Sequence, residues 1–502
     1  VNLLAHQQDV VDRDEIEVRR FGFAPSIAFG LGTATQFTAS YLVQSEDNVP
    51  DYGVPFLFGK PAPVPRETFY GLTKDDEEET LLHVMTLRLD HHFSDQLSLR
   101  NTLRYSHTDR EATPSPPRIA GTPTPATPLS DIVVTRNHPG RDTNESMLIN
   151  QTELTARFAT LGVKHTLLTG LEIGRETFDA TRFANAGVPP APLLNPEPTP
   201  DAFSITRTIS AITDTTAISL GIYAVDQLEI SRHLELLGGV RWDLFDAEFN
   251  SDLNNQHFAR TDKMWSYRAG IVFHPISTHS YYFAYGTSFN PSAEALALAE
   301  NNVSTPPEKN ESFEFGAKVD LPGGALRLQA AVFRLDKTNA RTTDPITGLM
   351  VREGEQRVQG VEFGVAGRLL PRWHLFAGYT YLDSELLKAI DAPGAVPTQG
   401  NELANTPQHS ATFWTTYDIG AHWQVGTGVF YGGERFSNVQ NTNVVPDYIL
   451  WDATVAYQIN KNVQLRLNVQ NIIDELYYTN VHPQHVVPGS GRTFIMTGNF
   501  KF

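Results

Sequence analysis

Apolar and polar residues alternate with a two-residue period over most of this chain, most plainly near its end. Val463, Leu465, Leu467 and Val469 interleave with Gln464, Arg466, Asn468 and Gln470, so apolar side chains take one face of an extended strand and polar ones the other. In the segment that follows, Phe494, Met496, Phe500 and Phe502 share a face with Gly498, while Thr493, Thr497, Asn499 and Lys501 take the opposite one. The same period sets Leu97, Leu99, Leu103 and Tyr105 against Ser98, Arg100, Thr102 and Arg104. It also sets Ile218, Leu220, Ile222 and Ala224 against Ala217, Ser219, Gly221 and Tyr223.

Followed along the chain, the pattern predicts strands near 20–31, 35–46, 79–92, 97–110, 145–159, 165–178, 213–229, 234–249, 261–274 and 279–288. Further strands fall near 309–320, 325–337, 347–369, 373–386, 407–418, 421–435, 447–459, 463–474 and 491–502, about nineteen in all. Val1 to Ala5 read as the tail of another strand, followed by a polar connection, HQQDVVDRDEIEVRR. The connections alternate in length. Short links (TLGVKH, ISRH, HPISTH, LPGG, LPRW, IGAH) occupy every second junction, and long ones (47–78, 111–144, 179–212, 289–308, 387–406 and 475–490) lie between them.

A soluble sandwich buries its apolar face against a second sheet and has no reason to gather its long loops at one end. A membrane barrel turns that face to lipid and the polar face to its lumen, with tight turns at one rim and long loops at the other. The expected fold is therefore all-β, a single transmembrane antiparallel up-and-down β-barrel spanning 1–502. Phe93, Phe273, Tyr281, Trp373, Trp423 and Phe500, close to the short turns, would form an aromatic girdle.

Composition narrows the function. Barrel strands need only about 9 to 11 residues with every second one apolar, which suits a mean hydropathy of −0.27. A formal charge of −18 argues against nucleic acid, whose partners neutralise phosphates with Lys and Arg. With no Cys there is neither a disulfide framework nor a thiolate metal site. No GxSxG elbow, phosphate loop or dinucleotide fingerprint occurs, so no enzyme is expected. His91 and His92 are adjacent and so point to opposite faces. His482 and His485 in HPQH could meet in a loop, but no third ligand is identifiable, so neither a metal site nor a cofactor is expected.

Several stretches in order carry a family likeness: PSIAFGLGTATQFTASYLVQSEDNVPDYGVPF, FRLDKTNARTTDP, GEQRVQGVEFGVAGRLLPRWHLFAGYTYLDSE, GNELANTPQHSATFWTTYD, and NVQNIIDELYYTN with GRTFIMTGNFKF. Together they resemble the barrel of a TonB-dependent siderophore receptor of the catecholate type. That resemblance implies a barrel of about 22 strands with an N-terminal plug and a TonB-contacting box before it. Neither is found in the sequence, so the expected domain is a receptor barrel entered at the end of its third strand. Implied partners are a ferric siderophore, outer-membrane lipid and lipopolysaccharide, the TonB complex acting through the absent N-terminal region, and the barrel assembly machinery, which would read the terminal aromatic Phe502.

A ferric tris-catecholate is a trianion with aromatic rings, so Arg charge and aromatic faces are the complementary surface. The loop DNVPDYGVPFLFGKPAPVPRETFY offers Tyr52, Phe56, Phe58, Arg66, Phe69 and Tyr70, and Arg341, Arg352, Arg435, Tyr477 and Tyr478 lie near loop bases. The acidic run at 75–79 reads as a solvated rim facing lipopolysaccharide through divalent ions. The Pro-rich tracts ATPSPPRIAGTPTPATP and VPPAPLLNPEPTP read as rim spacers. A passive porin, a receptor for haem or cobalamin, and an adhesin or phage-docking barrel are the alternatives.

Overall fold

The computed structural model describes residues 1–501 apart from 201–202, 254, 292–305, 322–324, 344–349 and 392–393. The alternating segments form one large antiparallel sheet in which each strand pairs with its neighbours in the chain. Tight turns close one rim. The Thr160 to Val163 turn, for example, places Leu161 and Gly162 at φ 51° and 87°, the left-handed pair that matches the twist of a two-residue hairpin.

Two expectations are corrected at the opposite rim. The polar stretch after Ala5 is not a connection: Asn2–Val10 pairs with Arg13–Ala24 as a hairpin turning at Asp12. Several strands also run past their predicted ends, as Pro139–Thr160, Val163–Ala186 and Thr206–Ser231. In both places apolar residues are few and do not keep the alternation, so the period disappears while the backbone groups still need partners and the ladder continues.

The sheet curls on itself. Arg66, in the connection after the third long strand, donates to Asp12 in the first hairpin at 2.7 Å and to Asp474, just before the last strand, at 2.8 Å. Only a sheet whose two ends approach each other permits both bonds. Among the described residues, Asn2–Val10 and Thr493–Phe500 are each paired on one side only.

The two faces differ in kind. Ile222, Trp265, Phe315, Phe363 and Met496, with the six predicted girdle aromatics, stand exposed on one face, an arrangement a water-bathed protein avoids and a lipid-facing one requires. The other face carries cross-strand polar networks. Arg241 Nη2 bonds Glu172 at 2.8 Å, and Tyr223 Oη donates to Glu153 at 2.9 Å. No described helix is long and apolar enough to cross a membrane. The main buried apolar core lies elsewhere, in the long loops, where Val54, Tyr70, Val134, Leu193, Val445 and Val486 pack together.

Candidate functional site

The long connections form a layer over one rim. Val54–Leu57 pairs with His485–Pro488, which pairs in turn with Tyr478–His482, so segments from the two ends of the chain share one small sheet. Gly53 makes that contact feasible. At φ 63° it lies against the Val486 carbonyl, where a Cβ would sit 2.0 Å from the oxygen.

Most of the aromatic candidates belong to the core of this layer. Phe56, Phe69, Tyr70 and Tyr478 are buried. Tyr70 donates its hydroxyl to the Leu193 carbonyl at 2.6 Å, and burial raises its pKa. Two of the arginines are structural clamps as they stand. Arg66 holds Asp12, Asp474 and the Glu475 carbonyl. Arg435 is buried, with Nε on Asn405 and Nη2 on the Tyr478 carbonyl. Phe58 is exposed, and Tyr52 and Tyr477 are half-buried, Tyr477 packing its ring 5.4 Å from that of Tyr448. The side chains of Arg341 and Arg352 and the whole of Phe502 lie outside the described residues.

The acidic run is only partly a solvated rim. Asp76 is buried, accepting from the Ser115 amide at 3.1 Å and hydroxyl at 2.6 Å, with His138 Nε2 at 3.3 Å. The HPQH histidines do meet: their rings stack with centroids 4.3 Å apart. Arg118, from a tract expected to be a spacer, donates Nη1 to His485 Nδ1 at 2.8 Å and, with Phe58, Asn443 and Gln484, lines a polar recess of ≈ 500 Å³. Burial first, then the His482 ring and Arg118, push the His485 imidazole down to about 3.

On its other side His485 packs against Tyr52, whose ring lies 5.5 Å away. The Tyr52 hydroxyl is raised by burial first and then by Glu78, while Arg110 and Arg141 of the sheet wall pull it back down. Those arginines lead to the most distinctive charge arrangement in the molecule. Arg141 lies directly opposite Arg182 on the polar face, and Arg110 is one diagonal step away, bonded to Glu78. Arg141 and Arg182 are exposed to the space the sheet encloses, and neither has a carboxylate partner among the described residues. Two rows further from the loops, the same face carries Phe178, Phe249 and Phe258 around the buried Ala217 and Ala247.

Unpaired cations two rows above aromatic rings on a polar wall, beneath a loop recess holding another cation, form a surface for a polyanion with flat faces. It contains no arrangement for covalent chemistry, and no group of three metal-ligating side chains occurs among the described residues. Sequence reasoning did not find Arg110, Arg118, Arg141 or Arg182. The pairing register, which puts Arg141 against Arg182, is the signal that brings the last two together.

Comparison with known proteins agrees with this architecture. Residues 22–472 match a family model described as TonB dependent receptor-like, beta-barrel. The probable TonB-dependent siderophore receptor PiuA of Acinetobacter baumannii is 32% identical over 547 residues, covering 100% of this chain and 72% of the relative. The catecholate siderophore receptor Fiu of Escherichia coli is 28% identical over 558 residues with the same coverage. Among solved structures, the siderophore receptor PiuA from A. baumannii superposes with a TM-score of 0.91 at 30% identity, covering 100% of this chain and 77% of that one. The closed form of the E. coli ferric-catecholate import receptor Fiu gives 0.88 at 27%, with the same coverage.

Proposed function

This chain belongs to the TonB-dependent receptor family, barrels of the Gram-negative outer membrane, and from that premise we propose that it binds a ferric siderophore of the catecholate type and imports it in a TonB-dependent manner. It is a transport receptor and not an enzyme. The long-loop rim then faces outward, and the lumen wall beneath it is the first surface a captured complex meets.

One observation carries the choice of ligand: Arg141 opposite Arg182, without a counter-charge, near Phe178, Phe249 and Phe258. Like charges directly opposed on neighbouring strands destabilise a sheet, and a carboxylate neighbour would remove the cost permanently. An anionic ligand removes it only while bound, which suits a site that must hold its cargo and release it. Catecholate rings on the phenylalanines and complex charge on the guanidiniums use both halves of the surface.

Arg118 and Phe58 in the recess, with Tyr52 and His485 between, form a continuous polar and aromatic strip from the loop surface to that wall. The test is uptake of radioactive iron, given as a ferric catecholate, by cells in which this is the sole receptor. Uptake should occur and should stop when the TonB system is inactivated. Uptake that persists without TonB, or that occurs from a ferric hydroxamate and not from the catecholate, contradicts the proposal.

A further inference from the structure

The lipid-facing band carries a polar island. One cross-strand row on that face runs Leu89, Asn101, Thr152, Leu171, and the next runs Leu87, Leu103, Asn150, Ile173. Along their own strand, Asn150 and Thr152 lie between the exposed Leu148 and Leu154. Two amides and a hydroxyl therefore sit where every neighbouring outward position is apolar.

The three bond to one another without exhausting what they offer. Asn101 Nδ2 donates to Asn150 Oδ1 at 3.0 Å and to Thr152 Oγ1 at 2.8 Å, Asn150 Nδ2 donates back to Asn101 Oδ1 at 3.3 Å, and Thr152 Oγ1 donates to Asn150 Oδ1 at 3.4 Å. These bonds use both hydrogens of the Asn101 amide and one of the two on Asn150. The second hydrogen of Asn150 and a lone pair on Asn101 Oδ1 have no partner among the described residues. All three residues are half-buried. Acyl chains can neither donate nor accept, so the island is fully bonded only against another polar surface at the same depth.

We propose that this face is a dimer interface, in which the Asn101 and Asn150 amides of one copy of the chain bond those of a second. An amide both donates and accepts, so the island is complementary to itself, and side-chain amides and hydroxyls hold membrane segments together in this way. Two copies inserted in the same sense are related by a two-fold axis along the bilayer normal, which keeps every residue at its own depth and brings island to island. Any other partner would need a polar group placed at that depth. The flanks agree. On one side Thr169 and Ala224 are small and floor a groove of ≈ 600 Å³ walled by Leu154, Leu171 and Trp242, and on the other Met85 and Leu89 stand exposed. A two-fold through the island turns the recessed flank of each copy towards the projecting flank of the other. The inference rests on the lipid facing of these strands and not on the siderophore reading, so the two fail separately.

The chain has no cysteine, so a single introduced thiol reports a contact without background. The test is cross-linking by a short bis-maleimide of Leu148→Cys, beside the island, in the full chain inserted in bilayers, with Phe363→Cys on the distant strand Met350–Leu370 as the control. Leu148→Cys should give a two-chain product and Phe363→Cys none. Adding Asn101→Leu and Asn150→Leu, which makes the island apolar like its surroundings, should lower the cross-linked fraction about tenfold. Heat-modifiable gel mobility confirms that each variant remains a folded barrel. No two-chain product from Leu148→Cys, equal yields from the two thiol positions, or a yield that the leucine pair leaves unchanged would each overturn the proposal.

Discussion

Arg141 stands directly opposite Arg182 on the inner wall of the barrel, two guanidiniums on neighbouring strands with no carboxylate bound to either among the described residues. The pair contributes nothing favourable to the fold. Opposed like charges cost about 0.2–1 kcal/mol, so Arg182→Gln should leave the barrel as stable as the parent or more stable by about 0.5 kcal/mol. Urea-driven unfolding from lipid vesicles measures this. A marked loss of stability would mean that Arg182 has a structural role.

Arg66 illustrates the opposite case. Its side chain is 9% exposed and joins Asp12 to Asp474, tying the first hairpin to the connection before the last strand. Arg66→Leu should open that junction at a cost of about 1–3 kcal/mol, read as faster hydrogen exchange around 12–14 and 474–476. The Arg66 side-chain bond first, and the Arg492 amide second, hold the Asp474 carboxyl below its ordinary range. Its contribution is therefore present above the unfolded aspartate value, about 3.9, and is lost as pH falls through the lower folded value. Protection of this junction in the parent chain should persist at pH 5 and fail in strong acid. Loss already at pH 5 would contradict the clamp.

The stacked histidines give the loop layer a different response to acid. An unfolded loop takes up a proton near the ordinary histidine value, about 6.5, whereas His485 in place does so only near about 3. Acidification through that window favours the open loop, and above it the contribution is silent. The protection of Val54 and Val486 against hydrogen exchange, taken relative to the intrinsic rate at each pH, should fall from pH 6.5 to pH 4 in the parent chain. In His485→Gln it should change much less. An equal fall in both would place the acid sensitivity elsewhere.

The facing of the strands is tested by neighbours. Leu220→Arg puts a charge into lipid and should cost roughly 2–4 kcal/mol near the bilayer midplane. Ser219→Arg, pointing to the lumen, should fold into vesicles nearly as well as the parent. Equal damage from the two substitutions would contradict the orientation.

The sequence revealed the strands and concealed the site. Alternation exposes a strand wherever lipid lies on one side and water on the other, which is why Val463–Gln470 and Leu97–Thr113 were legible. Above the bilayer both faces are wet, so the extensions holding Arg141 and Arg182 looked like loop, and only the register puts those two side by side. Arg118 was hidden in a proline-rich tract, yet Pro117–Ile119 pairs with Val133–Arg136 and carries it into the recess. Tyr70 and Phe58 belong to one loop and have similar chemistry. That one is buried and the other exposed follows from packing against Leu193 and Val134, contributed by other loops.

The most direct measurement is equilibrium binding of a ferric tris-catecholate to the purified barrel, comparing the parent chain with Arg141→Gln, Arg182→Gln and the double variant. Each single change should weaken binding about tenfold, the double change more, and added salt should diminish the difference. Unchanged affinity in the double variant, with the parent chain binding normally, would show that the ligand does not use this wall.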